Sequence, residues 1–335
     1  MSSAPTADEI ARDAKWLAQA LDPSAGIVRL VAMDRDSYRS ASFLDDRMMQ
    51  QPVDAQLVPW PEVAAAVTKE LRSDARWIFH TGHVGSTLIS RLLGELDGVL
   101  GIREPRILRD LAMSPAAVRE GYIGPVPRLL SRSFAEDEIA CVKATSFVSE
   151  IAPELVPPGE RALFMYATPA NYVASILAGE NSVKELRMLA PVRAQRLSRR
   201  VSALGPAHNE ADLAAIAWAC EMTALESAAD AMFDRQVEWA DFDRMLSDME
   251  AALTRTAAFL GFSAREGQLG EIAGGPLTTR YSKDISYDYS AELRRELIAD
   301  ATAHYRREID GALAMLRGAA EKSPLLARAV ARAED

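Results

Sequence analysis

Residues 76–88, RWIFHTGHVGSTL, carry the pattern that decides the fold. Trp77, Ile78 and Phe79 predict a short buried strand, and an apolar run from Ser86 to Leu96 predicts a helix. The turn between them contains two glycines, which let the backbone approach a bound anion, and the first amides of a helix are unpaired donors at its positive end. The stretch therefore predicts a strand, an anion-binding loop and a helix.

Further short apolar runs follow this segment. They are expected to be strands at residues 139–144, 161–167 and 237–242, with a helix at 169–178. Short, fully apolar strands separated by helices are typical of a parallel sheet that is covered on both faces. The chain is therefore predicted to have an α/β fold, with a parallel β-sheet flanked by helices.

The residues before the loop predict a small α/β extension. Residues 6–21 have apolar side chains at helical spacing, residues 26–34 predict a strand, and residues 57–67 an extended piece that enters a helix at Pro61. We assign residues 1–72 to an N-terminal extension packed on the core. No chemical motif stands out in it.

The remaining boundaries follow from composition. The core domain is placed at residues 73–320, with a helical insertion at 182–234 and a polar loop at 271–290. Residues 321–335 are expected to be a flexible C-terminal tail.

Composition excludes several classes of protein. The net charge of −10 argues against a general nucleic-acid or anionic-membrane surface, so neither partner is expected. The two cysteines, Cys141 and Cys220, lie in apolar surroundings, where burial as small hydrophobic residues is favoured over a disulfide or a metal site. There is no leader-like segment and no apolar run long enough to cross a membrane, so a cytoplasmic location is expected.

The loop departs from the Walker A pattern, because Ser86 stands where that pattern has lysine. An ordinary P-loop ATPase or kinase is therefore disfavoured. Two histidines, His80 and His83, lie on or beside the loop; His83 is a candidate donor or cation toward a polyanion. His80 fits a side chain packed at the strand end equally well.

The segment His83-Val84-Gly85-Ser86-Thr87-Leu88 resembles the 5′-phosphosulfate loop of P-loop sulfotransferases, whose usual form is Arg/Lys-Ser-Gly-Thr-Thr-Leu. The resemblance is to divergent, bacterial-type and tyrosylprotein-type members and extends over about residues 76–290. It implies the P-loop-like sulfotransferase fold and 3′-phosphoadenosine 5′-phosphosulfate (PAPS) as sulfate donor. No metal is expected.

The resemblance also implies roles for individual residues. Gly82 and residues 83–88 would bind the 5′-phosphosulfate, Glu104 would be the general base, and Lys143 would stabilise charge on the transferring group, with His83 beside it. Taken without the resemblance, Glu104 fits a surface carboxylate paired with a neighbouring arginine, and Lys143 fits a strand-end lysine. The donor's 3′-phosphate would meet Ser175 and a basic loop that contains Arg280 and Lys283.

One family feature is missing. Ala167 and Ala170 stand where the family pattern has arginines for the 3′-phosphate. Losing one arginine–phosphate contact costs on the order of 1.5–3 kcal/mol, roughly a tenfold to hundredfold loss of affinity. Four other basic residues are candidates to replace them: Arg187, Arg193, Arg280 and Lys283.

Three functions follow as hypotheses. The leading one is sulfuryl transfer from PAPS to a hydroxyl or amine of a small-molecule or peptide acceptor. The alternatives are a divergent P-loop phosphotransferase or nucleotide hydrolase, and a non-catalytic nucleotide- or anion-binding module. An arginine cluster in residues 187–200 favours an acidic acceptor and a solvated helix face equally. The oligomeric state is left open.

Overall fold

The computed structural model describes residues 4–279 and 290–334 of the chain. Its N-terminal layer is a three-stranded antiparallel sheet in the order β1-β2-β3. The elements of this layer are α1 (Ala7–Arg12), β1 (Trp16–Asp22), β2 (Ile27–Ala32), α2 (Arg35–Ser40), a 3₁₀ turn at Asp46–Gln50, β3 (Ala55–Pro59) and α3 (Trp60–Ala66).

The single long helix predicted over residues 6–21 is wrong. Helix α1 ends at Arg12, Asp13 is extended, and its carboxylate accepts a hydrogen bond from the Lys15 amide, which turns the chain. Strand β1 follows and is buried along most of its length. A short run that is apolar on both faces has no period that separates strand from helix, so the pattern alone favoured the wrong element. The predicted strand at 26–34 and helix entry near Pro61 are confirmed.

The core contains the five-stranded parallel sheet and its helices. Its elements as far as the middle of the chain are β4 (Arg76–His80), α4 (Ser86–Leu93), β5 (Val99–Arg103), α5 (Arg106–Met113), α6 (Ala116–Ile123), α7 (Val126–Ser131), β6 (Ile139–Lys143), a 3₁₀ turn at Ser146–Ile151, α8 (Ala152–Leu155), β7 (Arg161–Tyr166) and α9 (Pro169–Leu177). Those that follow are α10 (Glu180–Ser198), α11 (Glu210–Ala231), β8 (Gln236–Asp241), α12 (Phe242–Ser247), α13 (Met249–Leu260), α14 (Gln268–Ala273), a 3₁₀ turn at Pro276–Thr278, α15 (Ala291–His304), α16 (Arg306–Ala320) and α17 (Pro324–Glu334).

The predicted α/β class and parallel sheet are confirmed, with strand order β5-β6-β4-β7-β8. Alternate residues of β4 face opposite sides of the sheet. Trp77 and Phe79 join a large apolar core that is continuous with the N-terminal layer and α11, while Ile78 joins a second core with α4 and α13. Both faces are therefore buried, as the fully apolar strands predict.

Strand β5 was not predicted. Its sequence, VLGIR, contains Gly101 and follows Gly98, and glycine is depleted in strands. Gly101 is required by packing, because a Cβ there would lie 2.7 Å from a guanidinium nitrogen of Arg103. The missed strand ends next to Glu104 and so determines where that residue lies.

The C-terminal segment also differs from expectation. Residues 324–334, predicted as part of a flexible tail, form helix α17, with Leu326, Ala329, Val330 and Ala333 buried in the large core. Their spacing places the four side chains on one helical face, which accounts for the packing. The 182–234 segment is helical, as expected, in α10 and α11. The position of a domain boundary near residue 72 stays a prediction.

Candidate active site

The loop between β4 and α4 has an unusual backbone. Gly82, His83 and Gly85 all have positive φ, and Gly85 is the N-cap of α4 with φ +59°. A Cβ at Gly85 would lie 1.8 Å from the Phe242 ring, so the ring occupies the space that any side chain here would need. The glycine is thus required both by the left-handed conformation and by close packing.

The amino end of α4 offers backbone donors. The first hydrogen bond into the helix from outside runs from the Ile89 amide to the Gly85 carbonyl, and the cap receives no side-chain hydrogen bond. The amides of Ser86, Thr87 and Leu88 therefore precede the first helical bond and lie at the positive end of the helix dipole. This is the geometry that the sequence predicted for an anion-binding loop.

His80, at the end of β4, holds the loop in place through hydrogen bonds at both ring nitrogens. Its Nδ1 accepts a hydrogen bond from the Gly82 amide at 2.9 Å, and its Nε2 lies 2.9 Å from the Ala144 carbonyl oxygen. These partners assign the proton to Nε2, since a carbonyl oxygen can only accept. The buried ring thus ties the loop to the end of β6. His83, in contrast, lines the cavity and contacts the Tyr172 ring edge-to-face.

Lys143, Glu104 and Thr87 are joined directly. The Lys143 ammonium donates to Thr87 Oγ1 at 3.0 Å and forms an ion pair with Glu104 Oε1, while the Glu104 amide donates to the Lys143 carbonyl at 2.7 Å. Lys143 is almost completely buried, and Glu104 is 12% exposed with φ +53°. The sequence placed all three at the site but did not predict that the candidate base and cation pair with each other.

The N-terminal layer contributes three cavity-lining residues that sequence reasoning missed, Phe43, Asp45 and Arg47. Arg47 lies 3.4 Å from Glu104 Oε2 and packs over the Phe43 ring, with its guanidinium carbon 3.2 Å from the ring centre. Asp45 accepts three hydrogen bonds from the Arg47 guanidinium. Both oxygens of Glu104 therefore face cations from different layers. No local motif in residues 43–47 signals this arrangement.

Buried Arg103 fixes this part of the layer to β5. Its guanidinium donates to the carbonyls of Ala41, at 2.8 Å, and of Arg39 and Tyr38. Burial lowers the pKa of Arg103 to about 10, with Arg91 acting in the same direction, and the group stays charged at neutral pH. The strand that ends at Glu104 and the segment that brings Arg47 are thus held together.

The loop, Glu104, Lys143 and Arg47 line one cavity of about 620 Å³. It lies beyond the carboxyl end of β4, and β4 has strands on either side whose connections run in opposite directions, which is the topological switch point where open α/β sheets bind ligands. Residues 82–88, Glu104, Lys143 and Ser175 all border it, so the structure brings together every described residue predicted for the site. Arg280 and Lys283 lie outside the described residues, and of residues 271–279 none lines the cavity.

Two buried hydroxyls near the loop have no hydrogen-bond partner among the described residues, and of the two residues only Thr145 borders the cavity. They are Thr145 Oγ1 and the Tyr172 hydroxyl. Tyr172 lies behind Gly82 and His83, and burial raises its pKa well above the ordinary value. Buried polar groups are normally paired, so the hydroxyl of Thr145, which borders the cavity, is a candidate donor to a polar ligand.

The positions that the resemblance assigns to the 3′-phosphate, Ala167, Ala170 and Ser175, provide no charged side chain. Ala167 is buried and its carbonyl accepts a hydrogen bond from Trp218 Nε1 at 3.0 Å. The Ser175 hydroxyl lines the cavity but donates to the Tyr172 carbonyl at 2.8 Å. Neither alanine supplies a charge, and the serine hydroxyl is already used as a donor.

The arginine cluster of α10 is largely engaged inside the protein. Arg193 pairs with buried Glu221 at 3.2 Å, and Arg196 and Arg200 share Glu150. Burial works to raise the pKa of Glu150, but hydrogen bonds and charge from the two arginines outweigh it and hold that pKa below its usual range. Arg187 pairs with Glu210 at the surface. Only Arg193 of this cluster borders the cavity.

Several other expectations can be compared with the structure. Cys141 and Cys220 are buried free thiols, as predicted, and burial raises the pKa of each to about 12. No helix in residues 4–279 or 290–334 is long and apolar enough to cross a membrane. Within the same ranges, no cluster of three or more His, Cys, Asp or Glu side chains is placed to hold a metal ion.

The chain is similar in structure to three sulfotransferases. A sulfotransferase domain from the curacin biosynthetic pathway has 12% sequence identity and a TM-score of 0.42, and the match covers 68% of this chain and 89% of that one. A sulfotransferase domain from the Synechococcus PCC 7002 olefin synthase has 13% identity and a TM-score of 0.37, with 68% of this chain and 94% of that one covered. Mouse sulfotransferase SULT7A1 complexed with PAP has 11% identity and a TM-score of 0.40, with 78% of this chain and 93% of that one covered. No protein-family model matches the chain, and no curated protein matches it in sequence.

Proposed function

We propose that the protein is a sulfotransferase that moves a sulfuryl group from PAPS to a hydroxyl or amine of a small-molecule or peptide acceptor. The observation that carries the proposal is the Thr87–Lys143–Glu104 chain at the mouth of the anion loop. It places a buried cation between a helix terminus suited to an anion and a carboxylate suited to act as a base.

The loop would bind and orient the donor's phosphosulfate. The amides of Ser86, Thr87 and Leu88 and the two hydroxyls supply donors, and Gly85 lets the chain come close. Lys143 supplies positive charge where negative charge builds up on the group in flight. Bound there, the donor supplies an activated sulfuryl group whose bond to the 5′-phosphate breaks as the acceptor oxygen or nitrogen bonds to sulfur.

Glu104 would take the proton that the acceptor loses. Its pairing with Lys143 holds the carboxylate in one orientation, and its contact with Arg47 is longer, at 3.4 Å. Displacing the Arg47 contact would leave Glu104 Oε2 for an acceptor hydroxyl, with Oε1 still paired to Lys143. A general base within hydrogen-bond reach contributes on the order of 10²–10⁴-fold to the rate.

The test separates binding from chemistry. We expect calorimetry to show binding of adenosine 3′,5′-bisphosphate, the product of PAPS, without magnesium. Glu104→Gln should keep this binding and lose at least a hundredfold in transfer of radiolabelled sulfate from PAPS to a panel of phenols, sugars and amines. Exposed Glu120→Gln, on α6, is the matched control and should retain transfer. No binding of the bisphosphate, or full transfer by Glu104→Gln, would refute the proposal.

Phosphoryl transfer is the second candidate, and Lys143 is the observation that favours it. The lysine missing from the loop is supplied from the neighbouring strand, where its ammonium touches Thr87. A phosphotransferase of this kind requires a metal on the phosphates. Binding of ATP that depends on magnesium, together with no binding of the bisphosphate, would select this function over sulfuryl transfer. A chain that binds none of these nucleotides would instead be the non-catalytic module.

A further inference from the structure

An arginine of α15, Arg294, is linked through Asp243 to Asn171, the residue that follows Ala170. Helix α9 begins at Pro169, and Asn171 in its first turn donates its side-chain amide to Asp243 Oδ2 at 2.9 Å. The other oxygen of Asp243 accepts a hydrogen bond from Nε of Arg294 at 3.0 Å. Asp243 thus joins the start of α9 to Arg294, which comes from α15, more than a hundred residues further along the chain.

Arg294 is also next to the anion loop. Its guanidinium carbon lies 5.1 Å from the centre of the Phe242 ring, and the same ring occupies the space above Gly85. Arg294, Phe242 and Gly85 all border the 620 Å³ cavity. Arg294 and Gly85 therefore both contact the Phe242 ring, and all three residues border the same ligand-sized cavity.

The guanidinium keeps an unused donor. Its Nη2 is buried and has no hydrogen-bond partner among the described residues, although the side chain as a whole is 12% exposed. Arginine carries five N–H donors in a planar fork, and Asp243 is seen to engage only the Nε edge. A buried charged donor without a partner is unfavourable, and an oxyanion in the cavity is the group that would satisfy it.

We propose that Arg294 binds the second anionic group of a nucleotide whose first is held by the loop, and so takes over from the arginines replaced by Ala167 and Ala170. The inference rests on the proposed function and identifies the ligand as an adenosine nucleotide with a 3′-phosphate. Asp243 and Phe242 position the guanidinium, and the phosphate meets its remaining N–H edge. Of the replacements the sequence suggested, Arg187 pairs at the surface and Arg193 is held by Glu221.

The experiment compares two nucleotides that differ only in the 3′-phosphate. Calorimetry is run with adenosine 3′,5′-bisphosphate and adenosine 5′-monophosphate on the wild-type chain, Arg294→Gln and Arg294→Lys. We expect Arg294→Gln to bind the bisphosphate about tenfold to hundredfold more weakly, and the monophosphate with less than about a threefold change. Arg294→Lys should recover part of the loss, because it keeps the charge but not the fork.

The neighbouring residue provides the matched control. Arg295 is exposed on the same helix and donates to the Ala291 carbonyl, so Arg295→Gln removes the same charge without touching the cavity. It should bind both nucleotides as the wild type does, and thermal unfolding should show all variants folded.

Two results would overturn the assignment of Arg294 while leaving the proposed function standing: an equal loss for both nucleotides, or no loss for either. If the wild-type chain binds neither nucleotide, both proposals fail.

Discussion

Substituting Gly85 by alanine tests whether the loop depends on the Phe242 ring. At φ +59° a non-glycine residue costs about 1–2 kcal/mol. The added Cβ would lie 1.8, 2.1 and 2.4 Å from three ring carbons of Phe242, which is 1% exposed, so the buried ring must move to make room. Forcing a buried ring aside costs about another 1–3 kcal/mol. We therefore expect Gly85→Ala to lower the free energy of unfolding by about 2–5 kcal/mol.

The assay is urea denaturation followed by fluorescence, with the midpoint and slope compared among variants. Gly82→Ala is the matched control, because Gly82 has φ +86° but its nearest side-chain atoms would be 3.8 Å away. Gly82→Ala should lower the free energy of unfolding only by the cost of the left-handed backbone conformation, about 1–2 kcal/mol. In addition, Phe242→Leu should be less harmful in the Gly85→Ala background than in the wild type, since both changes act on one contact. Equal costs for the two glycine variants, or strictly additive effects with Phe242→Leu, would refute the reasoning.

Three further predictions concern charge and packing. Lys143→Met should cost about 3 kcal/mol in free energy of unfolding, because it leaves Glu104 without its buried partner, and adding Glu104→Gln should restore part of it in the same denaturation assay. The pKa of Glu150 is lowered in the folded state, so its contribution to stability is present above pH 4.5 and is lost as the pH falls through the folded-state pKa. The difference in free energy of unfolding between the wild type and Glu150→Gln should therefore shrink below about pH 4.5. Urea denaturation at several pH values measures it. Leu326→Ala should cost about 2–5 kcal/mol and half-buried Leu325→Ala clearly less, whereas equal small effects would show that α17 is not part of the core.

The sheet and the loop could be predicted because their signals are local. Trp77, Ile78 and Phe79 form an apolar run that ends at two glycines and two hydroxyls, and each of these features depends only on near neighbours in sequence. Strand β5 lacked such a signal, since the glycine that makes room for Arg103 also weakens the strand pattern. Where a glycine was needed to make room for a buried neighbouring side chain, the sequence pattern was insufficient.

The same distinction applies to the site. Glu104 and Lys143 were expected there from the family resemblance, and the structure has Lys143 as the last residue of β6 and Glu104 directly after β5, two parallel strands whose carboxyl ends share one edge of the sheet. Their pairing could not be predicted, since it depends on the left-handed backbone at Glu104. Arg47 and Arg294 reach the cavity from opposite ends of the chain, and only the tertiary fold brings them near the loop.

The N-terminal layer is therefore part of the site as well as of the core. Its apolar residues join the same continuous cluster as Trp77 and Phe79, so removing the layer would remove part of the core that contains these two side chains. It also supplies Phe43 and Arg47, which border the cavity beside Glu104. Because Arg103 anchors this segment to the strand that carries Glu104, a shift of the layer would move the cation and the carboxylate together. If Glu104 acts as proposed, acceptor binding and the stability of the layer should therefore change in parallel.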